Sequence, residues 1–278
     1  MTTTLRPTGP IQQGADGAKS RMYDVCDNGR PVGSVEIGTD AAFGTSAGVL
    51  LSLNIDEPSR RRGRGTIALL AAEEVLRGWG CGQVRLSAPE GNEGARRLAA
   101  VLGYTERSRN MVKDLGPTTP ALPDGAEARE MSAEEFAAWQ RTSVDTYARS
   151  WIDQGVPAGH AMHKSRSDHA RNLPDGLDTE GMYFHVLVVG GTVVGHVWVS
   201  VREGDDGGTT GFVFDVEVAE EYRGRGYGRA LMAQAEHITL AVGPRRLGLH
   251  VFAANTPALR LYESLGYRTT QYNLAKNL

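Results

Sequence analysis

The chain has 278 residues, 40% of them hydrophobic and 23% charged, with 35 glycines and a formal net charge of −3 at pH 7. That length suits two ordinary domains, and the composition is that of a globular chain rather than a disordered one. The charge argues against nucleic acid or an anionic membrane as a partner, and no run approaches the ~18 apolar residues of a membrane helix.

The chain opens MTTTLRPTGPIQQ, with no charged segment leading into an apolar core, so no secretory signal is read and a cytoplasmic location is expected. A hairpin follows at Met22–Cys26 and Val32–Ile37, turned at Asn28-Gly29, and then a strand at Gly48–Ile55. Residues 60–65 (RRRGRG) form a glycine-rich turn before a helix, a strand, a second helix beyond Asn92 and a last strand. LGPTTPALPDG (115–125) reads as a linker.

Beyond it, Ala126–Glu130 is a strand candidate, and Ser132 with Glu135 forms a capping box before an amphipathic helix to about Tyr147. A helical stretch from Ala158 to Arg171 stops before Leu173-Pro174. His185–Val189 and Val193–Val201 flank Gly190-Gly191 as a hairpin; the polar loop Glu203–Thr210 leads to a strand at Phe212–Val218. Cys26 and Cys81 are too few for a disulfide framework.

The chain repeats itself. Residues 53–115 fall on 216–278 without a gap, and the pairs Arg60/Arg223, Gly63/Gly226, Gly65/Gly228, Asn92/Asn255, Gly103/Gly266, Tyr104/Tyr267 and Lys113/Lys276 are identical. Two units are too few for a solenoid, so the reading is a duplicated mixed α/β domain: 1–117 as the first copy, 118–125 as linker and 126–278 as the second. The first copy has no room for the two helices that open the second.

The sharpest chemical signal is Val218-Ala-Glu-Glu-Tyr-Arg-Gly-Arg-Gly-Tyr-Gly-Arg229, a strand running through a glycine turn into a helix. Gly224, Gly226 and Gly228 permit close backbone approach to a ligand, the helix start suits a phosphate, and Arg223, Arg225 and Arg229 add positive charge. The spacing matches neither a P-loop nor a GxGxxG dinucleotide turn. The second element, Leu247-Gly-Leu-His-Val-Phe-Ala-Ala-Asn255, reads as a strand ending at a cap, after which Pro257 opens a helix and Gly266 closes it. His160, His163 and His169 share a helical stretch, but no third ligand is set by spacing, so no metal site is assigned.

The RxxGxG turn after a strand, followed by N-x-x-A-x-x-L-Y-E-x-L-G-Y, resembles the GCN5-related N-acetyltransferases. That resemblance implies acetyl-CoA as acetyl donor, lying between the Val218 strand and the next. Its pyrophosphate would rest on the turn from Arg223 through Gly224, Arg225, Gly226, Tyr227 and Gly228 to Arg229. The pantetheine arm would pair with Val216 and Val218, with Asn255 and Ala258 beside it. Tyr262 matches the tyrosine that protonates the departing thiolate; Ala99 takes its place in the first copy.

For the base, Phe212 stands where several members carry a glutamate. His250 matches another acidic position, with Glu217 and Asp215 as alternatives; Ser87 replaces His250 in the first copy. The expectation is an N-acetyltransferase acting on a small-molecule or peptide amine as monomer or homodimer, its chemistry in the second copy. The alternatives are a non-catalytic acyl-CoA-binding module and an enzyme like the mycothiol synthases, whose duplicated units act on a sugar-linked cysteine amine. The missing glutamate at Phe212 counts against the latter.

Overall fold

A computed structural model describes residues 2–14, 16–43, 46–203 and 208–278; part of the expected loop at Glu203–Thr210 therefore lies outside the described residues. The chain divides into two compact units. Unit 1 comprises Met1–Ser108, Gln154–Ala161 and Gln271–Leu278, and unit 2 comprises Arg109–Asp153 and Met162–Thr270.

In unit 1, β1 (Thr3–Pro7) and β2 (Gln12–Gln13) border β3 (Lys19–Asp27), which pairs with β4 (Arg30–Thr39) across a tight turn. That turn is at Asn28-Gly29, where φ is 48° and 80°, the left-handed pair that a two-residue hairpin needs. β5 (Ala47–Ile55) follows, then α1 (Arg64–Gly78), β6 (Gln83–Pro89), α2 (Glu93–Val101) and β7 (Thr105–Asp114). Val25, Val35, Ile37, Leu69, Leu76 and Val84 form the core beneath α1.

Unit 2 contains β8 (Ala126–Glu130), α3 (Ala133–Ile152), most of α4 (Ala158–Asn172), β9 (Met182–Val189), β10 (Thr192–Glu203) and β11 (Thr209–Val218). It continues with α5 (Tyr227–Val242), β12 (Arg246–Phe252), α6 (Thr256–Ser264) and the start of β13 (Arg268–Asn277). Its sheet runs β7-β12-β11-β10-β9-β8. One face packs on α5 through Leu187, Val197, Val213, Leu231, Met232 and Leu249. The other face carries Phe136, Trp139, Phe184 and Trp198 against α3.

The capping box forms as the spacing predicts: Ser132 Oγ accepts from the Glu135 amide and Glu135 accepts from that of Ser132. The helix runs on to Ile152, past the expected end near Tyr147, because Ala148 and Trp151 continue its buried stripe.

The last strand of each copy is divided between the units. The repeat gives β7 to the first copy, yet its end, Arg109–Asp114, belongs to unit 2, where Met111 joins the core and the Leu115 amide donates to the Arg245 carbonyl at 2.8 Å. The end of β13 belongs to unit 1, pairing antiparallel with β6 from Gln271↔Pro89 to Asn277↔Gln83.

Candidate active site

β11 and β12 are parallel neighbours for only three registered pairs, Gly211↔Leu247, Phe212↔Gly248 and Val213↔Leu249. β11 continues paired to β10 as far as Val218. The β12-facing edge of Phe214–Val218, including Val216 and Val218, is thus left without a strand partner, and a backbone lined opening forms between two neighbouring strands.

The glycine turn lies at the end of this edge. Gly224 and Gly226 have φ of 78° and 85°, and Gly226 caps α5 in the left-handed region. Among the described residues no group accepts from the backbone amides of Gly224 to Gly228. The turn therefore presents a run of free donors at the positive end of a helix. The arginines around it are exposed and brace it: Arg223 Nε donates to the Val218 carbonyl at 3.1 Å, Arg225 to the Glu221 carbonyl at 3.2 Å, and Arg229 to Ser264 Oγ at 2.7 Å. Tyr227 and Gly228 form the first turn of the helix, and a Cβ at Gly228 would sit 3.2 Å from Leu261, which brings α5 close to α6.

Asn255 uses its side-chain oxygen to cap α6, accepting from the Ala258 amide at 3.2 Å. Two turns on, Tyr262 is buried, 6% exposed, with its ring 5.9 Å from that of Tyr267. Its hydroxyl has no partner among the described residues, yet it is absent from the sealed, unpaired atoms that include the Tyr267 hydroxyl. It therefore reaches accessible space. Burial, helped by the charge of Asp215, pushes its pKa up to about 12, so the phenol stays protonated.

Opposite the α5 face, a β-bulge alters the alternation of β11. Trp198 is registered with Asp215 and Val199 with Val213, leaving Phe214 as the extra residue. Phe214 and Asp215 consequently share a face. Phe214 stacks on Trp198 at 4.6 Å, and Asp215 accepts from Trp139 Nε1 at 3.1 Å and from His196 Nε2 at 2.9 Å, both on Oδ2. His169 of α4 donates from Nδ1 to the Ser165 carbonyl at 2.8 Å, its ring 6.0 Å from Trp139 and 6.2 Å from Trp198.

Burial alone would raise the pKa of Asp215, but the His196 and Trp139 hydrogen bonds and the nearby histidine charges hold it below the ordinary value. The result is an ionised carboxylate in an aromatic enclosure, within electrostatic reach of Tyr262.

The sequence missed His196. It stands 19 residues before Asp215 on a different strand, and only the hairpin register unites them.

His250 faces away from the buried Leu249 and Val251, stacks on Trp151 at 6.0 Å and meets Phe252 edge-on at 5.1 Å. Glu217 shares the face of Asp215, but half its side chain is exposed, 3.8 Å from Arg223.

Unit 1 keeps the backbone of this site without its side chains. β5 pairs in parallel with β6 only from Ala47↔Gln83 to Leu50↔Leu86, Leu51 is the extra residue of a matching bulge, and Gly63 caps α1 at φ 75°. Ser52 stands where unit 2 has Asp215, Ala99 where it has Tyr262, and Ser87 where it has His250. Arg64, in the place of Tyr227, turns inward to an ion pair with Asp27.

Comparison with known proteins agrees with this duplication. The family model described as "Acetyltransferase (GNAT) family" matches twice, at residues 5–104 and 120–267. A mycothiol acetyltransferase of Thermobispora bispora is 36% identical over 216 residues, covering 74% of this chain and 68% of that protein. An uncharacterized N-acetyltransferase of Bacillus subtilis, YycN, is 30% identical over 151 residues, 53% of this chain and 96% of its own. Among solved structures, a GCN5-related N-acetyltransferase from Sphaerobacter thermophilus aligns with a TM-score of 0.60 at 20% identity, covering 92% of this chain and 80% of that one.

Proposed function

The chain belongs to the GNAT acetyltransferase family, and we propose that unit 2 moves an acetyl group from acetyl-CoA to a primary amine by direct attack. The observation that carries this reading is the Tyr262 hydroxyl, protonated and without a protein partner, on the helix that begins beyond the β11–β12 opening.

Acetyl-CoA is the donor substrate of this reaction. The free amides of Gly224–Gly228, with Arg223, Arg225, Tyr227 and Arg229 around them, suit its pyrophosphate. The unpaired edge at Val216 and Val218 suits the amides of its pantetheine arm, with Asn255 and Ala258 at the start of α6 beside it. The amine nitrogen attacks the thioester carbonyl, the C–S bond breaks, and Tyr262 gives its proton to the departing thiolate. His250, packed between Trp151 and Phe252, and Glu217, exposed beside Arg223, form the wall and rim of the acceptor side.

The relatives named mycothiol acetyltransferase favour a narrower reading, an acceptor of mycothiol type. Phe212, where a glutamate base is found in several members of the family, stands against it.

The test is amine-dependent CoA release across a panel of alkylamines, amino-acid amides, peptides and a cysteinyl amino-sugar. Release with at least one amine, lost in Tyr262→Phe with acetyl-CoA affinity kept, is the expected result. No release with any amine overturns the reading.

A further inference from the structure

We infer that His196 is the proton acceptor for the incoming amine, through Nδ1, and that Asp215 is its positioning residue. The inference rests on the acetyl-transfer reading and names the base that reading requires.

A carboxylate can only accept, so the contact between His196 Nε2 and Asp215 Oδ2 at 2.9 Å fixes the hydrogen of neutral His196 on Nε2. Nδ1 then carries the lone pair. It has no partner among the described residues and is not one of the sealed unpaired atoms, and 17% of the side chain remains exposed. A carboxylate that orients an imidazole whose other nitrogen is open is the arrangement of a general base.

The enclosure suits a cationic amine. Phe214 is exposed and stacks on the buried Trp198, which packs edge-on against Trp139, and Asp215 keeps Oδ1 without a donor among the described residues, its side chain 38% exposed. The carboxylate is absent from unit 1, where Ser52 replaces it along with Ala99 for Tyr262, so the proposed acid and the carboxylate that orients the base are missing together.

Among the described residues, few charged and titratable groups bear on His196. Asp215 and Glu217 face it from β11, and Trp139 of α3 shares Oδ2 as a neutral donor. His169 of α4 adds charge at Asp215, and Tyr262 of α6 is neutral. His185 of β9, on the neighbouring strand, contacts Gln234 of α5 instead. Burial pulls the pKa of His196 down; the hydrogen bond and charge of Asp215, with the charge of Glu217, outweigh it and raise it.

In the step itself an ammonium, R–NH3+, passes one proton to Nδ1 of His196, giving an imidazolium paired with Asp215. The freed lone pair forms the C–N bond as the C–S bond breaks. Two protons leave the nitrogen in all: His196 passes one to solvent, and the other replaces the one Tyr262 gives to the thiolate.

Imidazole 15N resonances of the full wild-type chain read the tautomer and pKa of His196 without any variant. The Nε2–H tautomer and a pKa above the ordinary ~6.5 are expected, with the pKa lowered in Asp215→Asn. In the pH profile of kcat/KM, an acidic limb should fall at that pKa. His196→Gln should abolish the limb and lower kcat by about 10²–10⁴ with acetyl-CoA affinity kept. The loss should shrink as pH rises and free amine becomes available. An Nδ1–H tautomer, or a folded His196→Gln enzyme that keeps its kcat and acidic limb, overturns the inference. Wild-type enzyme that acetylates no amine overturns the acetyl-transfer reading instead, while the tautomer measurement still judges the dyad.

Discussion

Tyr262 and His196 divide in how they are seen. Tyr262 was legible through the resemblance carried by N-x-x-A-x-x-L-Y-E-x-L-G-Y, and Ala99 in the other copy shows that the fold does not require a tyrosine there. His196 was not legible, because its partner Asp215 is joined to it only through strand register. Simple alternation also misplaces Asp215 relative to Phe214. For Tyr262, burial and the charge of Asp215 set the pKa near 12. No loss of activity from phenol ionisation is therefore expected below pH 10, where an ordinary tyrosine would begin to titrate. Tyr262→Phe should lower kcat by about 10²–10⁴ with little change in acetyl-CoA binding, measured by single-turnover kinetics and calorimetry.

At the scale of elements, the strongest local signals were the ones that close a backbone account: caps, glycine turns and hairpin turns. Asn92 and Asn255 cap α2 and α6 alike, and Gly63 and Gly226 start α1 and α5 alike. β1 escaped notice because it is short, largely exposed and ends at Pro7, so neither periodicity nor an apolar run marks it. The capping box of α3 makes a quantitative case. Ser132→Ala should cost about 1 kcal/mol in urea unfolding. Glu135, hydrogen-bonded to Arg129 and to the Ser132 amide, has its pKa depressed to about 2. Its stabilising contribution is present above the ordinary carboxylate pKa and is lost as pH falls from about 4.5 toward 2. Acid titration of the wild type against Glu135→Gln should show that difference vanishing over the same window.

At the level of the whole chain, the last strand of each copy ends in the unit built mainly from the other copy. Lys113, encoded with the first copy, pairs in unit 2 with Glu236 at 2.6 Å; Lys276, encoded with the second, pairs in unit 1 with Glu73 at 2.6 Å. The two pairs occupy matching places in the repeat, and the glutamate side chains are only 5% and 4% exposed. The repeat made the pairs Lys113/Lys276 and Tyr104/Tyr267 visible, but not which unit each strand completes, because both strands carry the same lysine for the same buried glutamate. Lys113→Met should cost about 3–5 kcal/mol by leaving Glu236 buried without a counter-charge, and adding Glu236→Leu should restore most of it. Chemical unfolding of the single and double variants checks this.

A matched pair of variants separates acetyl transfer in unit 2 from a unit 1 that keeps only the backbone of the site. Gly226 and Gly63 both hold positive φ at a helix start with open space around a Cβ. Aspartate tolerates that conformation better than most residues and sets a negative charge where a pyrophosphate would lie. Amine-dependent CoA release should be abolished in Gly226→Asp and retained in Gly63→Asp, both folded by circular dichroism. Retained release in Gly226→Asp, or its loss in Gly63→Asp alone, would overturn this division between the units.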